Sequence, residues 1–139
     1  MAVNAYLNFH GNCREAVDFY ADAFGATRQP ITTYGQADSG MPIPPEAHDW
    51  VMHTTLTLAG SLVMLADTPP GMPFTLGNNI SLVVTGSDID TLTTLFNTLA
   101  EGGDIIMPLQ KTFWSALYGF VTDRFGVHWQ ISHEPPAQA

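Results

Sequence analysis

Apolar and polar positions alternate over residues 3–9, and this period of two predicts a β-strand with one buried face. The period of the pattern then changes: over residues 17–24 the apolar residues recur at helical spacing, as expected for an amphipathic helix. Asn12 is placed to cap the start of this helix, with Glu15 three positions later able to bond back to the cap. Gly25 is expected to end the helix.

Two apolar-rich stretches, residues 51–58 and 61–66, predict a β-hairpin across Ala59-Gly60. A weaker strand is predicted before it, over residues 26–34. Pairing across the two-residue loop puts six side chains on one face of the hairpin. They are His53, Thr55, Thr57, Leu62, Met64 and Ala66.

Two connectors are rich in Gly and Pro, residues 35–49 and residues 68–77, and neither has a regular period. The first is long enough to support two interpretations, a mobile lid over a site or a plain connection.

The order of elements then repeats. Residues 79–85 predict a strand, and Ser87 with Asp90 repeats the capping pattern of the first helix. Leucines at 92, 95 and 99 follow the apolar residues of the first helix at the same sequence interval by which the second capping pattern follows the first. The glycine pair at 102 and 103 is expected to end this helix. Residues 104–109 predict the next strand. An internal duplication of this kind should be recognised before other features are interpreted.

The closing hairpin is predicted around the turn Asp123-Arg124-Phe125-Gly126, in which Asp accepts backbone hydrogen bonds and Gly tolerates a left-handed φ. After the turn, one face is apolar and the other is polar but uncharged, which suggests a sheltered pocket wall. The apolar face carries Val127, Trp129 and Ile131, and the polar face carries His128, Gln130 and Ser132. Counting parity across the turn assigns Tyr118, Phe120 and Trp114 to the core face together with Trp129.

Each half therefore has the order strand, helix, strand, strand, strand. The predicted fold class is α+β, built from two tandem βαβββ modules within a single domain, residues 1–139. The boundaries are 1–67 for the first module, 68–77 for a linker, 78–133 for the second module and 134–139 for a tail.

The composition narrows the class of partner. The chain has 139 residues, with 4 Lys and Arg against 13 Asp and Glu and a net charge of -9. Because the four cations are scattered, nucleic acid and anionic membranes are unlikely partners. The charge indicates solubility or, alternatively, attraction for a cationic ligand. Cys13 is the single cysteine, so a reducing cytoplasm fits, and neither a signal peptide nor a membrane-spanning segment is expected from the pattern.

Several motifs together suggest a family. They are Tyr6-Leu7-Asn8-Phe9 with Gly11-Asn12-Cys13-Arg14-Glu15-Ala16, Phe19-Tyr20, Phe24-Gly25, Val63-Met64-Leu65-Ala66-Asp67, Phe113-Trp114, Tyr118-Gly119 and Asp123-Arg124-Phe125-Gly126-Val127-His128-Trp129. A duplicated βαβββ module with these motifs resembles the vicinal oxygen chelate superfamily, which includes glyoxalase I, extradiol dioxygenases, and fosfomycin and bleomycin resistance proteins. Within it, the chain is most similar to the PhnB-like subgroup. The resemblance implies a curved mixed sheet, with helices on the convex side and a ligand on the concave side.

The resemblance also implies where a metal would be held. The four ligand positions of metal-dependent members fall near Ala5, Met64, Asn79 and Gln130, none of which offers a carboxylate or an imidazole. A thioether and two neutral amides suit the usual divalent metals poorly. The prediction is that the superfamily metal is lost and that no cofactor is bound.

Two histidines, His53 and His128, fall on the predicted ligand faces. They could form a substitute metal site, or supply a general base and its partner, or be hydrogen-bonded strand residues. Cys13 lies at the start of a helix, where the dipole would lower a thiol pKa, although a small packing residue is the simpler interpretation. Phosphate-binding loops, dinucleotide fingerprints and serine-nucleophile elbows are absent.

The sequence therefore predicts a metal-free protein that binds a small molecule in the cup of the sheet and, by analogy with the superfamily, forms a homodimer. The alternative is a metal-dependent glyoxalase-, dioxygenase- or transferase-like enzyme that uses His53 and His128. The predicted ligand-binding residues are Thr55, Met64, Asn79, Ser81, His128 and Gln130, with His53 at the edge.

Overall fold

The computed structural model describes residues 1–37 and 40–136. Two positions of the predicted 35–49 connector and the last three of the predicted tail lie outside the described residues, so the lid interpretation stays a prediction. None of the helices in the described part of the chain is long and apolar enough to cross a membrane.

Within the described residues the chain forms eight strands and two α-helices, in the duplicated order predicted above. The first half contains β1 (Ala5–Phe9), α1 (Cys13–Phe24), β2 (Thr32–Thr33), a short 3₁₀ helix (Pro45–Ala47), β3 (Val51–Leu58) and β4 (Ser61–Asp67). The second half contains β5 (Leu82–Gly86), α2 (Ile89–Ala100), β6 (Asp104–Gln110), β7 (Tyr118–Thr122) and β8 (His128–His133).

Each half builds its own four-stranded mixed sheet, in the order β1-β4-β3-β2 in the first and β5-β8-β7-β6 in the second. The first and last strands of each half pair in parallel, and the remaining pairs are antiparallel. The chain divides into two compact units, Met1–Thr75 and a second unit that begins at Leu76. The predicted α+β class with a βαβββ order in each half is confirmed.

In the first unit, α1 packs on β3 and β4 and buries one stripe of its surface. The stripe includes Val17 and Tyr20, which are almost fully buried together with Leu56 and Leu65 of the sheet. Burying a side chain of this size contributes roughly 1.5–3 kcal/mol, so this contact is a main source of stability for the unit.

In the second unit, α2 packs on β6, β7 and β8 through four side chains, Leu92, Leu95, Phe96 and Leu99. The helix approaches β7 closely at Gly119, where an added Cβ would lie 2.7 Å from the Phe96 ring and 2.9 Å from a Leu109 methyl group. Only glycine fits this contact without a shift of the neighbouring side chains.

The helix caps differ in part from the prediction. Asn12 is the N-cap residue of α1, but its side chain makes no capping bond. The carboxylate of Asp67 replaces it, accepting hydrogen bonds from the backbone N–H groups of Gly11 at 2.7 Å and Cys13 at 3.0 Å. In α2 the N-cap is Asp88, one residue after the predicted Ser87, and its side chain accepts from the Asp90 N–H.

Two predicted strands are shorter than expected. The strand predicted over 26–34 is reduced to β2, because Pro30 has no N–H to donate to a ladder. The strand predicted over 79–85 begins only at Leu82, and Asn79 lies in a bend before it, as expected for a residue type that favours turns.

The pairing of β7 with β8 corrects the predicted parity of the aromatic residues. Phe120 lies opposite Gln130, and Tyr118 lies opposite Ser132. Directly opposed residues in an antiparallel pair share a face. Tyr118 and Phe120 therefore lie on the polar face, and the prediction that they share the core face with Trp129 is wrong.

Candidate functional site

The sheet of the first unit has a partly exposed face on the side opposite α1, which we call the first-unit face. It includes Tyr6, His53, Thr55 and Met64. Met64 pairs with Tyr6 on one side and with Thr55 on the other. The face matches the predicted hairpin pairing, in which Thr55 opposes Met64 and Thr57 opposes Leu62.

The position beside Met64 on β1 was assigned incorrectly from the sequence. Ala5 pairs with Val63, which is buried, so Ala5 belongs to the core side of β1. Tyr6 is the residue that reaches the first-unit face. The sequence itself indicates that Tyr6 lies on this face, because a strand that buries Phe9 points Tyr6 to the opposite side.

Tyr6 and His53 are in contact on this face. The Tyr6 hydroxyl lies 3.2 Å from His53 Nδ1, and the two ring centroids are 6.0 Å apart. Partial burial raises the pKa of Tyr6, with a smaller contribution from Cys13. Tyr6 therefore stays protonated at neutral pH and presents a hydroxyl group that can donate or accept a hydrogen bond.

The second-unit face lies on the sheet of the second unit and is centred on Gln130. The Tyr118 hydroxyl donates to Gln130 Oε1 at 2.6 Å, and Gln130 Nε2 donates to Ser81 Oγ at 2.7 Å. Both ends of the amide are therefore held, and its orientation is fixed. Phe120 and the 56% exposed Val83 lie opposite Gln130 on the two neighbouring strands.

Asn79 does not take the predicted place beside Gln130. It lies in the bend before β5 and is exposed, whereas Val83 is the β5 residue paired with Gln130. The misassignment follows from the late start of β5, which shifts the position facing Gln130 along the chain by four residues.

His128 is on the predicted polar face, but both of its ring nitrogens have partners. Nε2 lies 2.7 Å from the Gly77 carbonyl, and Nδ1 lies 2.8 Å from the Thr122 hydroxyl. A carbonyl can only accept, so Nε2 donates to Gly77, and in the neutral imidazole Nδ1 then accepts from the Thr122 hydroxyl. His128 thus ties the chain before β5 to the β7–β8 hairpin, and its nitrogens are not presented to a ligand.

The core side of the closing hairpin is fixed by Asp123. Its carboxylate accepts from the backbone N–H groups of Phe125 and Val127, and Trp129 Nε1 donates to Oδ2 at 2.9 Å. The turn predicted from the sequence is present, with a backbone bond from the Gly126 N–H to the Asp123 carbonyl. This network holds β8 in place and therefore positions Gln130 on the opposite face.

Cys13 is fully buried at the start of α1. Burial raises the pKa of its thiol, and the nearby Asp67 carboxylate adds to the effect. The expectation that the helix dipole would lower this pKa is wrong, because desolvation outweighs the dipole here. A buried neutral thiol is a packing residue and not a nucleophile.

The residues at the superfamily metal positions do not fit a divalent metal. Tyr6 faces Met64 across the parallel strand pair of the first sheet, and Val83 faces Gln130 across that of the second. None of these residues supplies a carboxylate or an imidazole. Among residues 1–37 and 40–136, no group of three or more His, Cys, Asp or Glu side chains is arranged to hold a metal ion.

The chain shares its fold with a glyoxalase-related enzyme and with a fosfomycin resistance protein. A glyoxalase-related enzyme from Fulvimarina pelagi matches with a TM-score of 0.65 at 17% identity, covering 100% of this chain and 94% of that one. The fosfomycin resistance protein FosX from Listeria monocytogenes matches with a TM-score of 0.64 at 8% identity, covering 95% and 90%. These likenesses show the fold alone.

Residues 2–132 match the family described as 3-demethylubiquinone-9 3-methyltransferase, and the chain belongs to that family. The chain is 35% identical in sequence to protein PA1353 from Pseudomonas aeruginosa. The crystal structure of that protein matches with a TM-score of 0.86, and the match covers 98% of this chain and 99% of that one. A Bacillus cereus PhnB protein, described as a putative methyltransferase of this kind, is 31% identical, with a TM-score of 0.80 and coverage of 96% and 100%. Protein YjdN of Escherichia coli is 32% identical, with 95% of each chain covered. The predicted PhnB-like relationship is confirmed.

Proposed function

We propose that the protein binds a small polar molecule, uncharged or cationic, on its sheet faces without the superfamily metal. The observation that carries this proposal is the Gln130 amide, held at one end by Tyr118 and at the other by Ser81. A polar group that is fixed before the ligand arrives costs little entropy when it binds, which is the design of a specific small-molecule site.

The Gln130 group still has hydrogen bonds to offer. A primary amide has two N–H donors and two acceptor lone pairs, of which one each is used here. Tyr118 donates through its hydroxyl and keeps an acceptor lone pair. With Phe120 and Val83 as apolar neighbours, the second-unit face matches a ligand that has an amide, alcohol or amine group beside an apolar portion.

The first-unit face offers chemistry of the same kind. Thr55 contributes a hydroxyl group, Met64 an adaptable thioether, and Tyr6 a hydroxyl group beside His53. Neither face carries a charged side chain among these residues. The net charge of -9 favours a cationic ligand over an anionic one.

The alternative is an enzyme, and the family description names a methyl transfer. The specific observation in its favour is the contact between Tyr6 and His53, because transfer to a hydroxyl group needs a base to remove its proton. His128 is a weaker candidate than its position in the sequence suggested, since its ring nitrogens are occupied by Gly77 and Thr122.

Metal titration separates the metal-free proposal from a metal-dependent enzyme. Protein made without a histidine tag is titrated calorimetrically with Ni²⁺, Mn²⁺, Fe²⁺ and Zn²⁺, and the binding proposal expects no stoichiometric site. One tight divalent ion per chain, lost in both His53→Ala and His128→Ala, would support the metal-dependent enzyme and contradict the metal-free proposal.

We also propose that the functional form is a homodimer that meets at β6. This strand is at the edge of its sheet, and Ile105, Ile106 and Met107 are exposed on it. Consecutive strand residues point to opposite faces, so both faces of the edge are apolar. Two copies that each carry a charge of -9 repel one another, and residues 105–110 form an uncharged surface where they can meet. Sedimentation equilibrium should give a dimer that Ile106→Glu weakens, and a monomer at all concentrations would refute it.

A further inference from the structure

The loop between β6 and β7, residues 111–117, is fixed by its own hydrogen bonds. The Thr112 N–H donates to the Ser115 carbonyl at 2.9 Å, and the Ser115 N–H donates to the Thr112 hydroxyl at 3.1 Å. The Ser115 hydroxyl lies 2.7 Å from the Leu117 carbonyl and 2.9 Å from the His133 carbonyl. Ser115 is itself buried, so the loop is anchored to the end of β8.

This fixed loop holds two aromatic rings in the open. Phe113 is 97% exposed and Trp114 is 56% exposed. Their rings meet edge to face with centroids 4.7 Å apart, and Trp114 makes a second such contact with Tyr118 at 5.4 Å. Single exposed apolar side chains are common, but two adjacent rings on a hydrogen-bonded loop form a surface that is ready to stack on a ligand.

The two rings line a surface pocket of ≈ 290 Å³. The lining residues are Lys111, Thr112, Phe113, Trp114, Ser115, Ala116, His133 and Pro135. Among the described residues that line it, there is one cation and no carboxylate. A lining with a cation and no carboxylate is unusual in a chain with 13 acidic and 4 basic residues. The cation is Lys111, the single lysine of the chain.

We propose that this pocket binds a planar aromatic acid. The ring of the acid stacks on Trp114 and Phe113, and its anionic group pairs with the Lys111 ammonium. The pocket volume suits one or two fused rings, and the absence of lining carboxylates removes the repulsion that an anion meets elsewhere on this acidic chain. The proposal concerns a second site and does not rest on the function proposed for Gln130.

The experiment uses three ring compounds of similar size, benzoate, neutral benzamide and cationic benzylamine. Binding is followed by the indole N–H signal of Trp114 in nitrogen–proton correlation NMR spectra, assigned by its loss in Trp114→Phe. Benzoate should shift this signal in a saturable way and bind about fivefold more tightly than benzamide at low ionic strength, because an exposed ion pair adds little more than that. Benzylamine should bind most weakly.

Variants test the two halves of the site. Lys111→Met should remove the preference for benzoate over benzamide, and Lys111→Arg should retain it. Arg14→Met removes a cation of the first unit and should leave benzoate binding unchanged. Equal affinity for all three compounds, or no effect of Lys111→Met, would overturn the proposal.

Two other outcomes also decide against this pocket. Benzoate that shifts the Gln130 side-chain signals and not the Trp114 signal would place the acid on the second-unit face. A Trp114 signal that moves with protein concentration and not with benzoate would show that the loop contacts a second copy of the chain.

Discussion

The Asp67 carboxylate is the polar group on which the first unit depends most. It is 2% exposed and accepts hydrogen bonds from three backbone N–H groups, those of Gly11, Cys13 and Val51. These bonds tie the start of α1 and the start of β3 to the end of β4. Tyr34 adds a bond from its hydroxyl group to the Asp67 carbonyl at 2.7 Å.

Asp67→Asn should lower the free energy of unfolding by about 3 kcal/mol or more. In either amide orientation, at least one of the three N–H groups faces the new NH₂ group. A hydrogen bond to a charged group contributes about 1.5–3 kcal/mol, and an unsatisfied buried donor costs about 1–3 kcal/mol. This is a large share of the roughly 5–15 kcal/mol that stabilises a typical domain.

Urea denaturation monitored by circular dichroism measures the effect. With a slope of about 1–3 kcal/mol per molar urea, the midpoint should fall by roughly 1–3 M. Asp104→Asn is the matched control, because Asp104 is exposed on β6, and its effect should stay within about 0.5 kcal/mol. A loss below 1 kcal/mol in Asp67→Asn would refute the reasoning and show that desolvation of the carboxylate cancels its hydrogen bonds.

Three further predictions follow from named contacts. Because burial raises the pKa of the Cys13 thiol, its contribution to stability is complete below the unfolded thiol's pKa, and from about pH 9 upward the free energy of unfolding should fall by about 1.4 kcal/mol per pH unit. Cys13→Ala should make this slope shallower, and an unchanged slope would contradict the assignment. Gly119→Ala should lower the free energy of unfolding by about 1–3 kcal/mol in urea denaturation, because the added methyl group meets Phe96. Gly40→Ala is the comparison that tests backbone strain alone, since φ is positive there but the space around it is open. Tyr118→Phe keeps the ring and should free the Gln130 amide, which would show as narrowing of its side-chain NMR signals toward those of an exposed amide; unchanged signals would show that Ser81 alone fixes it.

Local signals in the sequence predicted much of the fold. The period-two and helical patterns identified β3, β4, α1 and α2 closely, because each depends on residues a few positions apart. The turn at Asp123–Gly126 was predictable for the same reason, since Asp and Gly have defined roles at its ends.

The errors arose where distant residues decide. Asp67 replaces Asn12 as the side-chain cap of α1 from more than fifty positions away, and no local pattern indicates that contact. The faces of Tyr118 and Phe120 depend on the pairing of Thr122 with His128, which the turn sequence alone did not settle. The error at Asn79 has a local cause, because the predicted strand included residues before Leu82 that favour a bend.

The most direct test of the proposed function follows the side-chain amide of Gln130. A set of small amides, alcohols and amines is screened against labelled protein, with the Gln130 signals assigned by their loss in Gln130→Leu. The account predicts that bound compounds shift these signals and lose at least about tenfold in affinity in Gln130→Leu. The control Gln29→Leu, which changes an exposed glutamine outside the strands, should bind normally. Compounds that bind equally well to Gln130→Leu, or a screen in which none moves the Gln130 signals, would contradict it.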